Sequence, residues 1–156
     1  MPASKSLLVD SAMILALILI GVVGYKLSPL LMPKADVSAA PDPGCDLQQG
    51  TCSAVLPEGG RLRFSLSPRP IPVTAPLEMV VELEGATADK VAVDFAGVSM
   101  NMGFNRPSLA PAGSGRFAGQ TTLPVCVTGR MIWQATVLIE AGRTRTAIPF
   151  RFEAGH

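Results

Sequence analysis

Hydrophobic and polar positions follow two different rules along this 156-residue chain. From Leu7 to Tyr25 the run LLVDSAMILALILIGVVGY is apolar on every side, with Asp10 its single charge. As a helix rising about 1.5 Å per residue, its 19 residues nearly cross a hydrocarbon core of about 30 Å. From Arg61 onward the pattern becomes strict alternation, the period of half-buried strands whose successive side chains point to opposite faces. Leu62, Phe64 and Leu66 alternate with Arg61, Arg63 and Ser65. Leu77, Met79, Val81 and Leu83 alternate with Glu78, Val80, Glu82 and Glu84, and Val91, Val93 and Phe95 with Lys90, Ala92 and Asp94. Arg116 to Leu123 reads as a further strand. Met131, Trp133, Ala135, Val137 and Ile139 line one face of the next, and Ile148, Phe150 and Phe152 line the last.

Turn signals separate these runs at Glu84-Gly85, in PAGSG from Pro111 to Gly115, and at Ala141-Gly142. The pattern predicts an all-β domain, an immunoglobulin-like antiparallel β-sandwich of about seven short strands. Trp133 is its natural core plug. Pro149 removes a ladder donor, which places the last strand at an edge or puts a bulge there. Three regions follow: a membrane anchor over residues 1–32, a Pro/Ala-rich spacer over 33–44 (PKADVSAAPDPG from Pro33), and the sandwich over 45–156.

Asp10 near the start of the apolar run, and Tyr25 with Lys26 after it, suit a span whose ends rest at the headgroups. The following Leu27 to Met32, interrupted by Pro29, is expected to rest at the interface. A cleaved signal peptide has the same general form. Small residues for processing, however, come only near Val37 to Ala40, so a retained anchor is the reading preferred. Lys5 before the span and Lys26 and Lys34 after it leave orientation to other evidence.

Composition narrows the function. Beyond Gly44 ten Lys and Arg are interleaved with nine Asp and Glu. That gives no basic field to follow a phosphate backbone, and nucleic-acid binding is not expected. The single histidine is the terminal His156, so neither a Ser-His-Asp nor a Cys-His pair can form within the domain. Glu78, Glu82 and Glu84 fall on a solvent face, and no glycine loop precedes a helix to cradle phosphate. The chain is read as non-enzymatic.

Sulfur is the chemistry left. Cys45 and Cys52 bracket CDLQQGTC, and Cys126 lies in LPVCVTG. In an oxidising compartment the first two can close a short disulfide loop, leaving Cys126 odd. Pairing of Cys126 with either, or three reduced thiols, remains compatible with the sequence. Met100 and Met102, in VSMNMG, follow a strand, and Met131 opens the Trp133 strand. A sandwich can bring Met100, Met102, Cys126 and Met131 to one end, where thioether and thiolate select Cu(I). Methionine is equally at home as core filler, which is the assignment for Met79.

Several of these residues also form motifs: M-x-M-G at Met100, Met102 and Gly103; G-x-F-x-G at Gly115, Phe117 and Gly119; Leu123-Pro124; and G-x-M-x-W-x-A-x-V from Gly129 to Val137. Over roughly the last 90 residues, behind a single span, the chain resembles the YtkA-like/FixH-like group of small membrane-anchored bacterial domains. The resemblance implies an immunoglobulin-like sandwich on the periplasmic face of the inner membrane, copper handling, and respiratory oxidase or its assembly factors as partners. It implies Met100 and Met102 as the site. Related sequences often carry histidine near the methionines, whereas here Phe104-Asn105-Arg106 follows Gly103, which narrows the expected cofactor to Cu(I). Two other functions stay in view: a metal-free assembly subunit of a respiratory membrane complex, and a thiol carrier using all three cysteines.

Overall fold

The alternating segments become strands because each has one face that gains by leaving water and one that does not. The structure, a computed structural model, describes residues 3–31, 37–100, 103–124 and 129–155. Two units make up the chain, Met1–Lys34 and Ala35–His156. The first is helix α1, Ala3–Leu31. Its stretch Val9–Lys26 is long and apolar enough to cross a membrane, and none of it is buried against protein. A single span and a signal sequence both satisfy that description. The helix continues through Pro29 to Leu31 and does not break there as the sequence suggests.

The second unit is all-β, with nine strands where the sequence suggests about seven. They are β1 (Val37–Ser38), β2 (Cys52–Val55), β3 (Arg61–Ser67), β4 (Pro76–Glu84), β5 (Lys90–Gly97), β6 (Ser108–Pro111), β7 (Arg116–Thr122), β8 (Met131–Ala141) and β9 (Thr144–Ala154). The extra elements are short ones, of two to four residues, in which period 2 has no length to show itself. The order across the sheet is β1-β9-β8-β5-β6-β7-β4-β3-β2. Every pairing is antiparallel except β1 with β9, which is parallel.

β6 makes the sheet fold over. Its first half pairs with β5 (Val91↔Leu109) and its second half with β7 (Ala110↔Ala118), so it belongs to both layers of the sandwich. The layers share one core. The rings of Phe64 on β3 and Phe150 on β9, strands that share no ladder, lie 5.4 Å apart. Trp133, Phe95, Leu62, Leu77, Met79 and Val81 are fully buried around them, so Trp133 and Met79 take the core positions that alternation assigns.

Pro149 is explained by its parity. Ala147, two residues earlier and facing the same way, accepts a hydrogen bond from the Ala39 amide on the outer side of β9. The nitrogen of Pro149 therefore faces outward beyond the end of β1, which pairs only at Thr146 and Ala147.

The spacer assignment needs correcting in its second half. Val37 and Ser38 form β1, Pro41 bridges Ala54, and the Asp42 amide donates to the Ser53 carbonyl at 2.8 Å. Proline and alanine there were misleading because a bare sheet edge recruits any extended backbone, whatever its side chains.

Candidate functional site

The two ends of the sandwich differ in what connects the strands. At one end the chain reverses through short glycine turns. Gly142-Arg143 joins β8 to β9, closed by the pair Ala141↔Thr144, with the Gly142 amide donating to Asp89 Oδ2 at 2.7 Å. Gly115, at φ +68°, sits so close to β4 that an added Cβ would lie 2.6 Å from the Leu83 carbonyl oxygen. At the other end lie the longer connections: 45–51, 68–75, 98–107 and 123–130. Cys45, Cys52, Met100 and Met131 each belong to this loop end or to a strand terminus beside it.

Cys45 and Cys52 form a disulfide, with Cα atoms 5.4 Å apart. Of the three cysteines, this pairing leaves Cys126 outside it. Met131 opens β8 at 6% exposure and packs into the core beside Trp133, which is filler behaviour. Met100 differs, being 41% exposed in the loop after β5. The structure brings these two methionines to the same end but turns them to different environments. Met102 and Cys126 lie outside the described residues. Among the described residues no group of three or more His, Cys, Asp or Glu is arranged to hold a metal ion.

The described flanks of the 98–107 loop are bonded to the strand ends on either side of 123–130, the last residues of β7 and the start of β8. On one side the Val98 amide donates to the Ile132 carbonyl at 3.0 Å, joining the residue after β5 to the second residue of β8. On the other, Asn105 Nδ2 donates to the Thr122 carbonyl at 3.2 Å and the Thr121 hydroxyl donates to Asn105 Oδ1 at 3.0 Å. The Asn105 carbonyl also accepts from the Phe95 amide at 2.8 Å, so this residue holds β5 and β7 together from opposite layers. Nothing in the spacing of GFNRP marks Asn105 for this work; only the strand pairing reveals it.

Other large apolar residues of the 98–107 loop and the start of β8 are exposed as well. Val98 and Ile132 are about half exposed, and the Phe104 ring is 82% exposed. Arg106 lies over that ring, 5.2 Å from its centroid, and pairs with Asp94 at 3.2 Å. Ile132 was legible as an outward position in the β8 alternation, whereas Phe104 carried no periodic signal. Beneath this surface the Trp133 indole Nε1 is buried with no hydrogen-bond partner among the described residues. A buried orphan donor of this kind costs about 1–3 kcal/mol.

No protein-family model, curated protein or solved structure matches the chain.

Proposed function

We propose that this chain is a non-enzymatic accessory protein, anchored in the bacterial inner membrane with its sandwich in the periplasm, and that its loop end holds Cu(I). The observation that carries the proposal is the bonding of the 98–107 loop, through Val98–Ile132 and Asn105–Thr121/Thr122, to the ends of β7 and β8 between which the 123–130 loop runs. Those two loops are the ones that bear Met100, Met102 and Cys126. A soft ion is best served by thioether and thiolate donors presented from a rigid frame. The exposure of Met100 supports this, since a methionine kept only to fill the core would share the burial of Met131. The Cys45–Cys52 disulfide supports an oxidising compartment. Met131, packed in the core, supports the frame and not the ligand set.

A Cu(I) competition titration on the full-length chain in detergent tests the proposal. Tight binding that is lost in Met100→Ala plus Met102→Ala is the expected result. No binding, or binding indifferent to those substitutions, refutes it.

The second reading is an assembly module for a respiratory membrane complex, working without metal. The exposed Val98, Phe104 and Ile132 favour it, because a solvated strand end has no reason to keep three large apolar groups in water. It predicts co-purification with oxidase subunits that Phe104→Asp abolishes and the paired methionine substitutions leave intact.

A further inference from the structure

A sheet that curls on itself leaves two open edges, and in this sandwich one short segment covers both. β1 and β2 are consecutive in sequence yet stand at opposite ends of the nine-strand order. Between them the chain leaves β9 at Ala39, whose amide donates to Ala147 at 3.1 Å, and reaches β2 at Pro41, which bridges Ala54. Asp42 then accepts from the Ser53 hydroxyl and from Arg61 Nη1. Further on, Gln48 donates to the Glu153 carbonyl of β9 and accepts from the Ile71 amide, while Leu47 is wholly buried. Residues 37–48 are thus a clasp across the seam.

The clasp ends in the disulfide. Cys52 begins β2 and is 3% exposed, whereas Cys45 is only partly buried and follows the exposed Pro43 and Gly44. Of the two half-cystines, Cys45 is the one that solvent reaches among the described residues.

We propose that Cys45–Cys52 is a thiol-exchange site for a dithiol reductant, and that its reduction unlatches the clasp while the two-layer core stays folded. A thiolate of the dithiol attacks Cys45 Sγ, the disulfide breaks, and Cys52 leaves as a thiolate that takes up a proton. The second thiol of the same reductant attacks its own sulfur in the mixed disulfide and releases Cys45. Two electrons enter the protein, both cysteines end as thiols, and the reductant leaves as a disulfide. Once the bond is open, residues 37–42 are held by two residues of parallel ladder, the Ala39 amide, the Pro41 bridge and the half-buried Asp42 contacts, while Leu47 and Gln48 stay docked on the core. The outer edges of β9 and β2 then become available for strand pairing. This proposal does not depend on metal binding.

Amide hydrogen exchange on the full-length chain in detergent, in a Cys126→Ser background, provides the test. In the oxidised protein the Ala39 and Asp42 amides should be protected. With excess dithiothreitol their protection should fall by at least about tenfold, the mark of local opening. Protection of Val93 and Phe95 should hold, because their amides donate to Pro107 and Asn105 away from the seam. Asp42→Ala should loosen Ala39 without any change in thiol content, separating the clasp from the sulfur chemistry. Three results would each overturn the proposal: unchanged Ala39 and Asp42 exchange after reduction, parallel loss at Val93 and Phe95, or a disulfide that dithiothreitol leaves closed in the folded protein.

Discussion

The glycine-turn end and the loop end of the sandwich terminate the same strands, yet they are built to different requirements. At the turn end, backbone geometry dictates sequence. Gly60 and Gly115 occupy positions where an added Cβ would lie 2.5 and 2.6 Å from carbonyl oxygens of β4, and both have positive φ. At the loop end the connections are longer than reversal requires, and they carry methionine, arginine, an exposed phenylalanine and the disulfide. Loops longer than the geometry demands, set on a rigid scaffold, are where proteins place recognition. The contrast predicts that substitutions at the turn end change stability, and that exposed side chains at the loop end change binding.

The largest effect should come from the core both ends share. Trp133→Ala should cost about 3–5 kcal/mol in denaturant unfolding. Trp133→Phe should recover most of that loss, since it also removes an indole donor that has no partner among the described residues. Replacing both Cys45 and Cys52 by Ser should cost about 2–3 kcal/mol, as expected for so short a closed loop. Gly60→Ala should cost about 1–3 kcal/mol, the range for backbone strain, and would blur the contrast if it proved neutral. Asn105→Ala should cost about 1–2 kcal/mol through its lost side-chain hydrogen bonds. The smallest change in stability is expected at Met100→Ala and Phe104→Ala, within about 0.5 kcal/mol of the parent. For Met100→Ala, Cu(I) affinity should fall instead. A loss of 2 kcal/mol or more at Met100 would make it filler and remove the contrast between the ends, read with about the same precision.

The sequence announced those parts of the fold long enough to express a period. β3, β4, β5, β8 and β9 each alternate over seven or more residues, and their buried positions are those that alternation assigns. β1, β2 and β6 were silent because two to four residues cannot display a period and because their pairing is set by distant strands. β6 in particular is defined by exchanging partners halfway along, a relation no local pattern encodes. At the candidate site, sulfur chemistry was visible in VSMNMG and in the Cys45–Cys52 spacing. What the sequence could not separate was Met100 from Met131, because both are methionines beside strand termini. Only packing shows one half exposed and the other in the core. Asn105 was hidden for a different reason, its partners Phe95, Thr121 and Thr122 lying on two other strands.

Asn105 gives the loop end a mechanical property. Its carbonyl is bound to one layer of the sandwich and its side chain to the other, so the residue works as a strut between them. A slide of one layer over the other by an ångström would stretch at least one of those bonds beyond useful length. The backbone at Asn105 is therefore pinned to the separation of the two layers, and a pull on the neighbouring Phe104 is resisted by both sheets at once.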